Sequence, residues 1–264
     1  MKIGLVIVGD EILSGRRQDK HLVKVIELLA ARGLALSWAR YVGDERPLIT
    51  ATLRDAFAAG ELVFSCGGIG ATPDDHTRQC AAAALGRPLV LHPEARALII
   101  ERMHDVAREQ GQTFEPERAD NLHRLNMGVF PEGARLIPNP YNRIPGFSVG
   151  DVHFMPGFPV MAWPMIEWVL DTQYAALQGG QRQAEHSVIV FGAMEATLTP
   201  LMVSVEAQHP QVRVFSLPSV DHPQYGRHID LGVKGPAETL PAAFALLREG
   251  LVAAGATLGP EMVR

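Results

Sequence analysis

Cysteine is almost missing from the 264 residues: only Cys66 and Cys80 occur. One ends an apolar run and the other falls inside an Ala-rich helical pattern, so there is neither a disulfide framework nor a zinc-ligand spacing. A reducing, cytoplasmic setting is expected. Positive charge is also in deficit, with 24 Lys and Arg against 29 Asp and Glu and a formal net charge of −5. Nucleic acid and anionic membranes both need clustered cations to neutralise phosphate, so neither is an expected partner. Long apolar runs are absent. The opening MKIGLVIVGDE stops being apolar at Gly9 and Asp10, short of a signal sequence, and no later run reaches membrane-spanning length. Nucleophilic Ser-His-Asp or Cys-His hydrolase chemistry is not expected, and Cys66 reads as a buried strand residue.

The chain is 47% hydrophobic and 20% charged, enough apolar material for one large domain or two modest ones. Apolar runs of strand length (2–9, 34–42, 61–66) alternate with helical patterns (18–32, 47–59, 73–85), the signature of a parallel sheet covered on both faces. Gly33, Gly60 and Gly86 stand where helix C-terminal caps belong. Helices are predicted at 93–110 and 115–127, a Pro-, Gly- and Asn-rich loop or small hairpin at 128–150, a strand at 151–156 and a helix at 158–176. Trp163 and Trp168 in that last helix read as packing residues. The polar, glycine-containing QGGQRQ (178–183) marks a boundary between an α/β domain, 1–177, and a small α+β domain, 184–258. The smaller one reads strand 185–191, helix 195–207, strand 211–217, turn, strand 227–234, helix 236–254.

The most informative stretch is CGGIGATPDDHTR, residues 66–78. A strand that runs into Gly67, Gly68 and Gly70 exposes backbone N–H groups at the carboxyl end of a parallel sheet, where open α/β sheets bind ligands. No Gly-Lys-Ser/Thr follows, so this is not a Walker A loop, and the third glycine of a dinucleotide fingerprint is missing. Thr72 as N-cap, Pro73 at N1 and Asp75 at N3 would also make a capping box, accounting for those three without any ligand. The glycine cluster and the pair Asp74 and Asp75 ask for more. A divalent cation on carboxylate oxygens, bridging to a phosphate on the glycine amides, reconciles the anion-binding loop with its acidic flank. Asp10 and Glu11 follow the first strand and Asp44 and Glu45 the second, so Asp10, Glu11, Asp44, Asp74 and Asp75 are expected at one sheet edge. Asp44 or Glu45 alone would serve equally as a favourable charge at a helix start.

Taken together, VGDEILSGRRQDKH (8–21), VGDE (42–45) and GGIGATPDDHT (67–77) resemble the molybdopterin-binding (MoCF) family, in particular the amino-terminal domain of its CinA-type members. VFPEGARLIPNP (129–140), PGF (145–147) and MPGFP (155–159) are similar to later loops of that family, and 183–254, with FGAMEATL (191–198), to the small domain that follows. The resemblance implies a three-layer α/β/α domain with a mostly parallel sheet, a pocket for a pterin phosphate or nucleotide diphosphate, and a homo-oligomer, a dimer or trimer. It further implies that Asp44 and Asp75 correspond to an acidic pair used in metal-dependent chemistry. The activity implied is cleavage of a pyrophosphate in ADP-ribose or FAD with Mg, Mn or Co. It does not extend to the amidohydrolase domain of longer CinA-type proteins, so deamidation is not expected. NPYNRIPG (139–146) places Arg143 and Ile144 where the family pattern is smaller, which suggests an altered pocket.

The expected function is therefore a metal-dependent pyrophosphatase. Gly67, Gly68, Gly70 and Thr72 would hold phosphate, with Asp10 and Glu11 as further ligand contacts. Asp44, Asp74 and Asp75 would hold metal or orient water, and Arg16 or Arg17 would neutralise substrate charge. A non-catalytic pterin-binding or cofactor-biosynthesis protein would use the same loop. His76 reads as a solvent-facing residue before it reads as a base, and the histidines of 209–228 lack metal spacing. GVKG (232–235) imitates the GxxG loop of KH nucleic-acid modules, with few basic residues nearby.

Overall fold

The computed structural model describes residues 1–179 and 183–264, so part of the expected 178–183 linker, residues 180–182, lies outside the described residues. Two compact units result, Met1–Gln178 and Gly179–Arg264.

The first unit runs β1 (Ile3–Val8), α1 (Asp10–Leu13), α2 (His21–Ala30), β2 (Trp38–Val42), α3 (Arg46–Ala59), β3 (Leu62–Cys66), α4 (Thr77–Leu85), β4 (Leu89–Leu91) and α5 (Pro93–Glu109). It continues through α6 (Ala119–Arg124), β5 (Val129–Pro131), β6 (Arg135–Ile137), β7 (Gly146–Val149), β8 (Val152–Met155) and α7 (Pro159–Gln173). The main sheet has the order β2-β1-β3-β8-β7-β6. Its first four strands are parallel, while β7 is antiparallel to both β8 and β6. The carboxyl ends of β1, β2, β3 and β8 thus share one edge, the property that positions the site.

Strand alternation explains the layers. Ile3, Leu5 and Ile7 of β1 face α2 and α7, while Val6 and Val8 face α3 and α4. The helices answer with apolar residues at helical spacing: Val25, Leu28 and Leu29 in α2, and Ala162, Met165, Ile166, Val169 and Leu170 in α7. On the other face α3 buries Ile49, Thr52, Leu53 and Ala56, then stops at Gly60 in the left-handed region, as expected.

Three local readings are corrected. The helix expected from residue 73 starts at Thr77, and 71–76 is loop. The 128–150 excursion, expected as a loop or small hairpin, does hold the antiparallel pair β6 and β7, but these extend the main sheet, and β5 pairs with β4. The helix expected over 18–32 is confined to His21–Ala30 because Asp19, outside it, accepts from the N–H groups of His21 and Leu22 and so caps its start.

The second unit runs β9 (Gln183–Phe191), α8 (Glu195–Gln208), β10 (Arg213–His222), β11 (Gly226–Pro236), α9 (Leu240–Ala253) and β12 (Thr257–Val263). All pairs are antiparallel in the order β10-β11-β9-β12, a ferredoxin-like βαββαβ arrangement. Val188, Val190, Leu231 and Val233 of its sheet pack on Leu198, Val205, Phe244 and Leu247 of its helices. β12 runs past the expected end at 258. GVKG lies inside β11, where Gly232 pairs with Phe215 on one side and Ser187 on the other. Those four residues form no loop, which corrects the KH-like reading of this unit.

Candidate functional site

The site grows from how β3 ends. Gly67 has φ +108°, and a Cβ there would stand 2.2 Å from the carbonyl oxygen of Val8; Gly68 has φ +69°, and a Cβ would stand 2.2 Å from Thr77 Oγ1. A side chain at Gly67 would require the β1 backbone to move, and one at Gly68 would displace the Thr77 hydroxyl, both at a backbone conformation that favours glycine. Buried Thr77 fastens the turn, its N–H donating to Gly68 O at 2.9 Å and its hydroxyl to Gly67 O at 3.0 Å. The first two glycines are therefore demanded by close packing between strand ends. What they leave for a ligand is the run of N–H groups at Gly68, Ile69, Gly70 and Ala71, which meet no protein acceptor among the described residues.

Beyond them the chain closes a small turn. Asp75 Oδ2 accepts from the N–H of Thr72 at 2.8 Å and from its hydroxyl at 2.6 Å, and the Asp75 N–H donates to Thr72 O at 3.1 Å. This is the hydrogen-bond pattern of a capping box, formed ahead of the helix and not at its start. Arg78, 4% exposed, braces the loop from behind by donating from Nη2 to Gly70 O at 2.5 Å. Burial holds its guanidinium below the usual arginine range, against the pull of Asp75.

Between this loop, the end of β1 and the turn after β8 lies a cleft of about 520 Å³. Glu11, Asp44, Gly67, Gly68, Gly70, Thr72, Asp74 and Asp75 all line it. Of the expected residues Asp10 and Arg16 stand outside the wall; the Asp10 backbone N–H donates to Asp44 Oδ2 and its carboxylate accepts from the Asp44 N–H. Arg17 contributes the positive charge expected of Arg16 or Arg17, with its guanidinium 6.0 Å from the centre of the Phe158 ring. Pro156, Gly157 and Phe158 form the far wall, supplied by MPGFP. Arg143 and Ile144 do not line it; Arg143 pairs with Glu101 and Asp105 instead, so the expected change of pocket shape has no support here.

Electrostatics set the carboxylates apart. Burial pushes the Asp44 carboxyl above its ordinary range, helped by repulsion from Asp10, Glu11 and Asp74 and opposed by the Asp10 N–H. Asp74 moves the other way, held down by the Thr72 hydroxyl and by its own backbone N–H. Among the described residues no group of three or more His, Cys, Asp or Glu is set to hold a metal ion. The trio Asp44, Asp74 and Asp75 is therefore not a closed cage, because Asp75 is turned onto Thr72. Asp44 and Asp74 remain as two carboxylates beside the unengaged loop amides, a donor set whose oxygens suit a hard cation. His76 lies outside this cleft, in the wall of a second cavity. Cys66 is buried, and desolvation pushes its thiol up to about 12, so it offers no nucleophile.

Residues 4–178 match a family model described as "Probable molybdopterin binding domain". The chain belongs to this family. A CinA-like protein of Anaeromyxobacter dehalogenans is 33% identical over 201 residues, covering 74% of this chain and 46% of its own. A protein of Pyrobaculum calidifontis is 29% identical over 252 residues, 93% of this chain and 92% of its own. The crystal structure of the protein CinA, of unknown function, from Thermoplasma acidophilum superposes with a TM-score of 0.53 at 28% identity, over 64% of this chain and 96% of that one. The chain spans about half the length of the first CinA-like relatives it matches. No helix among the described residues is long and apolar enough to cross a membrane.

Arg78 and Phe158 were not singled out from the sequence. Arg78 carried no signal, since a buried arginine inside an amphipathic helix reads as a solvated one. Phe158 carried a faint one in the Pro-Gly that precedes it after an apolar strand.

Proposed function

We propose that this cleft binds the pyrophosphate of a small nucleotide, of the ADP-ribose or dinucleotide type, and hydrolyses it with the help of a divalent cation. The observation that carries the reading is the meeting, in one cleft, of four unengaged loop amides with Asp44 and Asp74. The amides of Gly68 to Ala71 would hold one phosphate, and Arg17 would offset charge on the other. Asp44 and Asp74 would hold the cation, which when bound would polarise a phosphoryl oxygen. Asp44, with its raised carboxyl, would accept the proton of an attacking water. Asp75 would act through Thr72, keeping the loop closed around the phosphate. Phe158 and Arg17 offer an aromatic face and a cation to a heterocycle at the mouth.

The test is to incubate the purified chain with ADP-ribose and with FAD, with and without Mg, Mn or Co ions, and to separate the products. AMP formed only with metal, and lost in Asp75→Ala, supports the proposal. Tight binding without turnover in every metal would favour a binding-only protein built on the same pocket.

A further inference from the structure

A second cavity, about 370 Å³, lies against the same Ala71–Asp75 loop, which lines both it and the main cleft. Its charge is opposite in character. Arg46, His76, Arg78 and His123 converge on it, with Asp75 as the one carboxylate in its wall. Several arginines elsewhere in this unit are paired: Arg32 grips Asp171, Arg118 and Arg124 share Asp120, and Arg143 reaches Glu101 and Asp105. The Arg46 guanidinium and the rings of His76 and His123 make no hydrogen bond or ion pair among the described residues. Arg78 is 4% exposed, and its buried Nε has no partner. A buried guanidinium with an unmet donor, next to three unpaired cationic or protonatable side chains, is costly unless an anion completes it.

We propose that this cavity is an anion site, separate from the acidic cleft, which takes a tetrahedral oxyanion of the phosphate class on Arg46, Arg78 and His123. It builds on the pyrophosphate reading of the neighbouring cleft only in that the oxyanion is either free phosphate or a further phosphate of the same ligand. Asn126, at the cavity edge, adds a neutral donor. Because Arg78 also holds Gly70 O, an anion here bears on the loop that lines the cleft.

The experiment uses inorganic phosphate as the probe and isothermal titration of the whole chain in EDTA. Without metal the acidic cleft repels phosphate, so binding reports the second cavity. Saturable binding is expected in the wild type, weakened at least tenfold in the double variant Arg46→Gln/His123→Gln. Both substituted residues are exposed, and thermal melting confirms that the fold persists. No saturable binding, or binding equal in wild type and double variant, overturns the proposal. The source of the anion is read separately with ADP-ribose. A KM raised tenfold at unchanged kcat in the double variant identifies the ligand's own phosphate; an unchanged KM, with phosphate binding still lost, identifies free phosphate. Absence of any turnover would refute the pyrophosphatase reading and leave the titration result standing.

Discussion

Asp10 and Asp44 hold each other by a reciprocal pair of hydrogen bonds: the Asp10 N–H donates to Asp44 Oδ2 at 2.9 Å, and the Asp44 N–H donates to Asp10 Oδ1 at 3.1 Å. The exchange ties the end of β1 to the end of β2 and fixes one Asp44 oxygen. It also places two like charges together, part of the reason the Asp44 carboxyl is raised. Removing the acceptor in Asp10→Ala should lower stability by about 1 kcal/mol, since the group is exposed and the hydrogen bond charge-assisted. Asp10→Asn keeps an acceptor oxygen and should cost less than half as much, measured as the shift in urea midpoint.

The glycine loop predicts two unequal losses. Gly68→Ala puts a Cβ 2.2 Å from Thr77 Oγ1 at a positive φ and should destabilise by about 2 kcal/mol or more. Gly60 has a similar φ with open space around it, so Gly60→Ala should cost only about 1 kcal/mol. Equal costs in chemical denaturation would show that the Thr77 contact does not constrain the loop.

A buried network behind the sheet sets the acid limit. His153, fully buried, exchanges hydrogen bonds with Ser148 Oγ at 2.7 Å and Tyr174 OH at 2.8 Å, and that hydroxyl donates to Asp151 Oδ1 at 2.7 Å. Burial lowers the His153 pKa from 6.5 to about 3. The folded state thus favours the neutral ring, whereas the unfolded chain takes up the proton. The contribution is complete above pH 6.5 and is lost as the pH falls from there towards 3. The slope approaches about 1.4 kcal/mol per pH unit. Urea midpoints between pH 7 and 5 should fall more steeply for the wild type than for His153→Gln.

Thr72→Val removes the hydroxyl donor to Asp75 but keeps the backbone N–H. The loop should stay folded, with its melting temperature within a few degrees of the wild type, while metal-dependent turnover drops about tenfold. Turnover unchanged in this variant would mean that the Thr72–Asp75 turn is not coupled to the phosphate site.

Much of the molecule was legible where a local pattern coincides with its tertiary cause. The runs ending at Gly9 and Gly67 are buried strands because they are largely apolar, the run ending at Gly43 is an edge strand with Ala39, Arg40 and Tyr41 exposed, and the parallel pairing of all three brings Glu11, Asp44, Asp74 and Asp75 to one cleft. The start of α4 was not legible, because the Thr72–Asp75 hydrogen bonds are identical in a capping box and in the free turn seen here. The roles of Gly67 and Gly68 were read as ligand-driven, whereas crowding by Val8 and Thr77, residues remote in sequence or around a turn, already requires them. β12 was missed because TLGPEMV, with Gly259 and Pro260, lacks strand alternation and is held as an edge strand by pairing with β9. Arg78 was missed because its burial depends on a loop that folds back over it.

The most direct measurement follows AMP release from ADP-ribose against Mn ion concentration in wild type and Asp44→Asn. Asn keeps the oxygen that accepts the Asp10 N–H, so the fold should hold while the charge and the proton acceptor are lost. Expected is release that rises with Mn in the wild type and falls on the order of 100-fold in the variant at saturating metal. Release of the same size in Asp44→Asn, with the same metal dependence, would contradict a reaction centred on this cleft.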